Sequence, residues 1–349
     1  MQPRYYGTLC LLVLVLGAAG CSQFVARRMA QSPNTYPKLF GGMARTQLAF
    51  DQNLLTNFPP RTLVVGPPKA QLSYRIIEPG DFQMEVTSTN WLKRGRQHSS
   101  FLFRTRSPGV TNALTASPRG TVLLLHGYGL AEFAMVPWAL RLAEEGWRCV
   151  LVDLRGHGKS TGRRIYYGVR ETHDLGQLLD ELERKGQTSG PAAMIGESYG
   201  ASLALRLKSV DSRIGGVVAI APYAELSDVV LNICAEYADW LPKGLVKSGL
   251  KKLPVLLRVE AAELDTITVL DRTPVVALFV AGGGDRIAPV SDVRKLFGRA
   301  APGSEMVVVA DASHEAVPYH FEELLPSVLA WLNERNGSLR ADAGSRQPH

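Results

Sequence analysis

Short apolar runs alternate with amphipathic stretches through most of the chain, and the two kinds differ in period. T-V-L-L-L-H-G (121–127) is a continuous apolar run that ends in glycine. Residues 131–146, A-E-F-A-M-V-P-W-A-L-R-L-A-E-E-G, then carry apolar side chains at helical spacing, with Gly146 where a C-terminal cap belongs. The runs recur at 148–154 (R-C-V-L-V-D-L), 191–196 (P-A-A-M-I-G), 214–222, 273–282 and 305–311. Helix-period stretches separate or follow them at 170–186, 199–210, 292–298 and 321–335, the last with a break or restart at Pro326. Strands without alternation are apolar on both faces. Interleaved with amphipathic helices, they predict an α/β fold, a mostly parallel sheet with helices on both sides.

Two regions depart from this pattern. Between residues 61 and 106, β-type segments (L-V-V, Y-R-I-I-E, F-Q-M-E-V-T-S-T, S-S-F-L-F-R-T-R) are separated by turn signals such as P-G-D at 79–81, which predicts antiparallel strands opening the sheet. Between about 222 and 272 the pattern reads as helices with no strand among them, a length of insertion that suits a helical cap. The expected organisation is a signal peptide at 1–20, a lipidated tether and N-terminal extension of irregular structure at 21–60, an α/β domain at 61–336, and a disordered polar tail at 337–349.

The first residues explain that division. One early positive charge, Arg4, precedes an apolar stretch over Leu9–Leu16, too short for a comfortable membrane span and of the length of a secretory core. It ends in A-A-G-C (18–21), which resembles a bacterial lipobox, with Ala18 where leucine is commonest; Cys21 is then the lipidated first mature residue. Removing the signal takes Arg4 with it and lowers the net charge from +7 to +6. Cys10 falls in the signal, so only Cys149 and Cys234 remain in the body, and Cys149 sits in an apolar run as a buried thiol. Basic residues are scattered (Arg27–Arg28, Lys93–Arg94, Arg163–Arg164, Lys251–Lys252) without interleaved aromatics, which disfavours nucleic acid and suits an anionic lipid surface.

Candidate chemistry gathers where strands end. A-A-M-I, then G-E-S-Y-G, then A-S-L-A-L-R-L read as strand, tight turn and helix, the setting in which G-x-S-x-G forms a nucleophile elbow. Ser198 is the candidate nucleophile, and Gly196 and Gly200 omit side chains that would strike the neighbouring strand and helix. A serine hydroxyl needs a base, and the base an orienting acid. Asp285 and His314 each follow a later apolar run, in the chain order serine, acid, histidine; Asp311 is the rival acid. The oxyanion donors are expected to be the backbone N–H groups of Tyr199 and of Tyr128 in the H-G-Y-G loop, with His126 shaping that loop. G-H-G-K-S-T (156–161) lacks the glycine a phosphate loop needs five positions before Gly158, where Asp153 stands, so nucleotide binding is not expected. The chain has no HxxxH or Cys/His cluster, and no metal or cofactor is expected.

Taken in order, H-G-Y-G, D-L-R-G-H-G-K-S-T-G, G-E-S-Y-G, G-G-D-R-I-A-P and S-H-E resemble the α/β-hydrolase superfamily, and most nearly its monoacylglycerol lipase/lysophospholipase and serine-aminopeptidase-like branch. The resemblance covers roughly residues 95–335, has three glycines before its acid, and implies Ser198 as nucleophile, Asp285 as acid, His314 as base and Tyr128 and Tyr199 as oxyanion donors. The expectation is an α/β-hydrolase fold carrying a serine hydrolase of lipid-like acyl esters, held at the extracytoplasmic face of a bacterial envelope membrane. Val229, Val230, Leu231, Ile233, Tyr237 and Trp240 are candidates to line an acyl pocket. An aminopeptidase or amidase using the same three residues, and a non-catalytic binding module of the envelope, are the alternatives.

Overall fold

The computed structural model describes residues 20–35, 46–49, 52–93, 96–105 and 117–344. The expected signal segment, apart from Gly20, lies outside them, as do residues 345–349.

The apolar runs form an eight-stranded sheet in the order β11-β10-β9-β8-β6-β7-β3-β2. Six strands run parallel: β6 (Thr121–Leu125), β7 (Arg148–Asp153), β8 (Ala192–Glu197), β9 (Ile214–Ile220), β10 (Leu278–Gly282) and β11 (Glu305–Val309). β2 (Arg61–Val65) and β3 (Ala70–Ile77) close one edge antiparallel. Successive residues of each central strand feed opposite cores. Leu123 and Leu125 of β6 pack with α3 (Glu171–Arg184), α4 (Tyr199–Val210) and α8 (Val290–Phe297). Val122 and Leu124 pack with α2 (Val136–Glu144) and α9 (Phe321–Gly344). Each such fully buried aliphatic side chain contributes about 1.5–3 kcal/mol, so this sheet, apolar on both faces, is the main stabilising unit. Gly146 (φ +85°) follows the end of α2 at the position the pattern gave it.

Four expectations are corrected. The segments at 84–106 do not extend the main sheet: β4 (Met84–Lys93) and β5 (Arg96–Thr105) pair with each other and with β1 (Thr46–Ala49) in a separate three-stranded sheet. Phe101 and Phe103 alternate with more exposed neighbours and bury one face against Tyr319 and Phe321, so this sheet covers helices rather than lengthening the strand order. Pro326 neither breaks nor restarts the last helix, which continues past residue 336 to Gly344. Trp331 and Leu332 anchor it in the core, and the proline gives up one hydrogen bond near the helix start.

The third correction concerns the tether. Residues 20–30 are not irregular but form a helix, α1. Ser22, Ala26 and Ala30 recur every four residues and are buried, a narrow small-residue stripe. It packs on α6 (Lys243–Leu257), where a Cβ at Gly249 would lie 2.5 Å from Val25 and Lys252 donates to Ser22 at 2.6 Å. Ser32 and Asn34 then tie the chain to the loop after β7, through Gly156, Gly158 and Ser160.

Between β9 and β10 lie α5 (Leu226–Tyr237), α6, a short 3-10 turn (Ala261–Leu264) and α7 (Thr266–Arg272), with no strand among them. The fourth correction falls here: Trp240 is 77% exposed and so lines no enclosed acyl pocket, while Val229 packs in the main core. Among the described residues, no helix is long and apolar enough to cross a membrane.

Candidate active site

β8 delivers the chain to the elbow. Ser198 has φ 51° and ψ −107°, a strained backbone that α4, starting at Tyr199, and the sheet hold in place. Its N–H donates to Ile220 O of β9 at 2.8 Å, and Ser202 N–H donates to its carbonyl at 3.1 Å. The two glycines have separate reasons. A Cβ at Gly196 would stand 2.2 Å from Gly200 O, and one at Gly200 would stand 2.2 Å from Leu125 O at the end of β6. The turn therefore closes only when both positions lack side chains.

The loops after β10 and β11 bring two more groups to Ser198. His314 Nε2 lies 2.9 Å from Ser198 Oγ, and His314 Nδ1 lies 2.7 Å from Asp285 Oδ2. Asp285 Oδ1 accepts from the Ile287 and Ala288 amides, both at 2.8 Å, and its side chain is fully buried. The carboxylate is therefore fixed before it meets the imidazole. Asp311, the rival acid, is exposed with φ 56°, and His314 pairs with Asp285 instead. The three glycines before Asp285 fit this arrangement. Gly283 N–H donates to Val309 O at 2.7 Å and Gly284 N–H to Ala312 O at 3.0 Å, so the acid loop lies flat on the histidine loop. A Cβ at Gly282 would sit 2.3 Å from Ala312 O.

The H-G-Y-G loop lies over the elbow. The Tyr128 ring meets the Tyr199 ring edge-on at 6.4 Å. His126 accepts from Leu154 N–H at Nε2 (3.1 Å) and donates from Nδ1 to Gly127 O (2.8 Å). Both ring nitrogens are engaged, and burial holds its pKa down to about 4, so it is a neutral clamp on the loop. The D-L-R-G-H-G-K-S-T-G stretch is scaffold as well. Asp153 accepts from the Glu132 and Lys159 amides at 2.7 and 2.8 Å, and Arg155 makes a buried two-point pair with Asp174 at 2.6 and 2.7 Å. A Cβ at Gly158 would strike the Asp153 carboxylate at 2.2 Å, so this turn closes on protein rather than on a phosphate. A cleft of about 920 Å³ opens beside it, lined in part by Leu48, Leu55, Phe133 and Lys159, and none of Ser198, Asp285 and His314 lines it.

Sequence reasoning missed two features. Glu197 is buried beside the elbow, with Oε2 unpartnered and Oε1 3.4 Å from where a Gly127 Cβ would be. Burial pushes its pKa up to about 7, against the pull of His314 and with a push from Glu315. Helix α5 is the second: Tyr237 donates to Glu315, Asn232 donates to Ile287 O at 3.0 Å, and Glu236 faces Arg286 at 3.8 Å. A carboxylate inside the elbow motif was visible in G-E-S-Y-G. The α5 contacts join positions far apart in the chain and left no local pattern.

An imidazole placed as His314 is can take a proton from Ser198 only when neutral. Burial pulls its pKa down, but Asp285, with Glu197 and Glu315, outweighs this and raises it above the ordinary 6.5. The neutral form is therefore lost at higher pH than usual, and the acid limb of kcat/KM is expected above pH 6.5. Glu197→Gln removes one of the charges that hold the proton on, so its acid limb should move to lower pH. A superimposable profile would rule out electrostatic contact between the two groups.

With this geometry in hand, residues 116–276 match the family model described as serine aminopeptidase, S33. Among solved structures, an esterase from Pyrococcus furiosus is similar over 83% of this chain and 94% of its own, with TM-score 0.56 and 21% identity. A hydrolase from Pseudomonas aeruginosa is similar over 78% and 98%, with TM-score 0.51 and 19% identity. The uncharacterized protein YqkD of Bacillus subtilis is 26% identical over 204 residues, 57% of this chain. This chain spans 66% of that relative's length, just under two thirds. The fold is the α/β-hydrolase fold. Fold and matched stretch together support the α/β-hydrolase superfamily and a hydrolase.

Proposed function

We propose that this chain is a serine hydrolase that cleaves carboxylic esters through an acyl-enzyme, anchored by lipid on Cys21 at the extracytoplasmic face of a bacterial membrane. The observation that carries the chemistry is the relay from Ser198 Oγ through His314 (2.9 Å) to Asp285 (2.7 Å), set on a strained elbow. Ser198 Oγ attacks the ester carbonyl as His314 Nε2 takes its proton, and Asp285 stabilises the imidazolium. The tetrahedral oxyanion is held by the Tyr199 and Tyr128 backbone N–H groups. Its collapse releases the alcohol, which receives the proton from His314. Water, deprotonated by the same nitrogen, then frees the acid and restores Ser198. No step uses a metal or cofactor.

Lipid-like acyl esters, of monoglyceride or lysophospholipid type, are the proposed substrates. The proposed membrane location supports this, since it keeps such molecules at hand. The family description favours a second reading, cleavage of an aminoacyl amide by the same three residues. Paired substrates decide: an acyl glycerol ester and an aminoacyl anilide are compared by kcat/KM, with fluorophosphonate labelling of Ser198 measured alongside. Ester preference of at least about a hundredfold, near 2.7 kcal/mol in transition-state binding, is expected. The reverse preference assigns an aminopeptidase, and absence of both turnover and label leaves a binding module.

A further inference from the structure

Helix α6 divides its surface sharply. Val246, Gly249, Leu253 and Leu257 are buried, while Lys243, Lys247, Lys251 and Val255, each four residues after the last, are exposed along one row. From Leu241 to Val259 the sequence has five basic residues and no aspartate or glutamate. Helix α1, packed alongside, adds Arg27 and Arg28, again with no acid. Lysines spaced four apart repel each other, and an ordinary solvated helix relieves that with interspersed acids. Large apolar side chains also stand exposed on these elements: Val255 at 82%, Trp240, just before α6, at 77%, and Phe24 of α1 at 68%. Basic rows beside exposed aromatic and aliphatic side chains match the chemistry of a lipid headgroup region.

We infer that the outward side of α6 and α1 docks on an anionic phospholipid bilayer, with Trp240, Val255 and Phe24 entering the headgroup layer and Lys243, Lys247 and Lys251 meeting lipid phosphates. Charge complementarity is one argument for this occupant, and covalent connection is the other. The apolar run Leu9–Leu16 joins α1 within a few residues, and Ser22 touches Lys252. Lipid on Cys21 and an uncleaved apolar run both put hydrocarbon beside this face. The inference rests on the membrane location proposed above and extends it from one anchoring residue to a surface; it is independent of the hydrolase chemistry.

The test uses the full chain and vesicles of phosphatidylcholine alone or mixed with phosphatidylglycerol. Three proteins are compared: wild type, Lys243→Gln/Lys247→Gln/Lys251→Gln, and a control that loses equal charge elsewhere, Arg61→Gln/Lys69→Gln/Arg294→Gln. A lysine near an anionic surface is worth about fivefold in partitioning, so the α6 variant should bind mixed vesicles roughly a hundredfold more weakly than wild type. The control should lose only a fewfold, salt should narrow the gap, and all three should bind neutral vesicles alike through the anchor. Brominated lipid should quench wild type more than Trp240→Phe, a reading that needs no charge variant. Equal losses in both triple variants, or no preference for anionic lipid, overturn the face. Tighter binding to DNA than to mixed vesicles at the same salt overturns the lipid occupant. Failure of the anchor reads differently: neutral-vesicle binding disappears while the anionic preference stays.

Discussion

Ser198→Ala is expected to lose fluorophosphonate labelling entirely and about a millionfold in kcat, the scale on which a serine nucleophile contributes. Fold should survive. Alanine keeps the Cβ that the positive φ already accommodates, and the hydroxyl's side-chain partner is His314. The comparison requires stopped-time product analysis at high enzyme concentration and a thermal melt of each protein. A variant that retains turnover within tenfold of wild type would mean that the elbow serves packing and that the nucleophile lies elsewhere.

Asp285→Asn carries the next largest expected effect, about ten-thousandfold in kcat, and here the surroundings give the reason. Oδ1 receives two backbone amides and Oδ2 receives the imidazole N–H. An asparagine has one acceptor oxygen. If that oxygen faces Ile287 and Ala288, its NH₂ confronts His314 Nδ1 and forces the proton onto Nε2, where it blocks base action toward Ser198. If the amide flips, its NH₂ confronts two backbone donors in a buried site and costs stability. The variant also loses the charge that raises the His314 pKa, so its residual activity should show an acid limb at lower pH than wild type. Steady-state kinetics across pH, with a melt, separates the outcomes. Loss of less than tenfold would assign the orienting role to another acid.

The sheet was legible because its central strands are buried on both faces and therefore uninterrupted in sequence. The triad candidates were legible because each follows such a run. Gly196 and Gly200 are legible as steric requirements of the elbow motif, and Asp285 is preferred to Asp311 because Asp311 shares a loop with His314 and would have to fold back to reach it. Other features depended on tertiary partners. β4 and β5 show ordinary alternation, which does not say whether the apolar face meets helices or extends a sheet. Ser22, Ala26 and Ala30 form a stripe too small to register as amphipathic, yet it is what lets α1 approach Gly249 closely. The polar end of α9 gave no reason to continue a helix, and its core anchors lie several turns earlier, at Trp331 and Leu332. Glu197 is visible in G-E-S-Y-G, but its raised pKa comes from burial, which composition does not reveal.

Helix α5 touches the acid loop through Asn232 and Glu236 and the histidine loop through Tyr237, and those loops are bonded to each other at Gly283 and Gly284. Swinging this helix outward to admit a bulky substrate would drag on both Asp285 and His314. Any opening that passed through α5 would therefore disturb the pairing of Asp285, His314 and Ser198 for as long as it lasted.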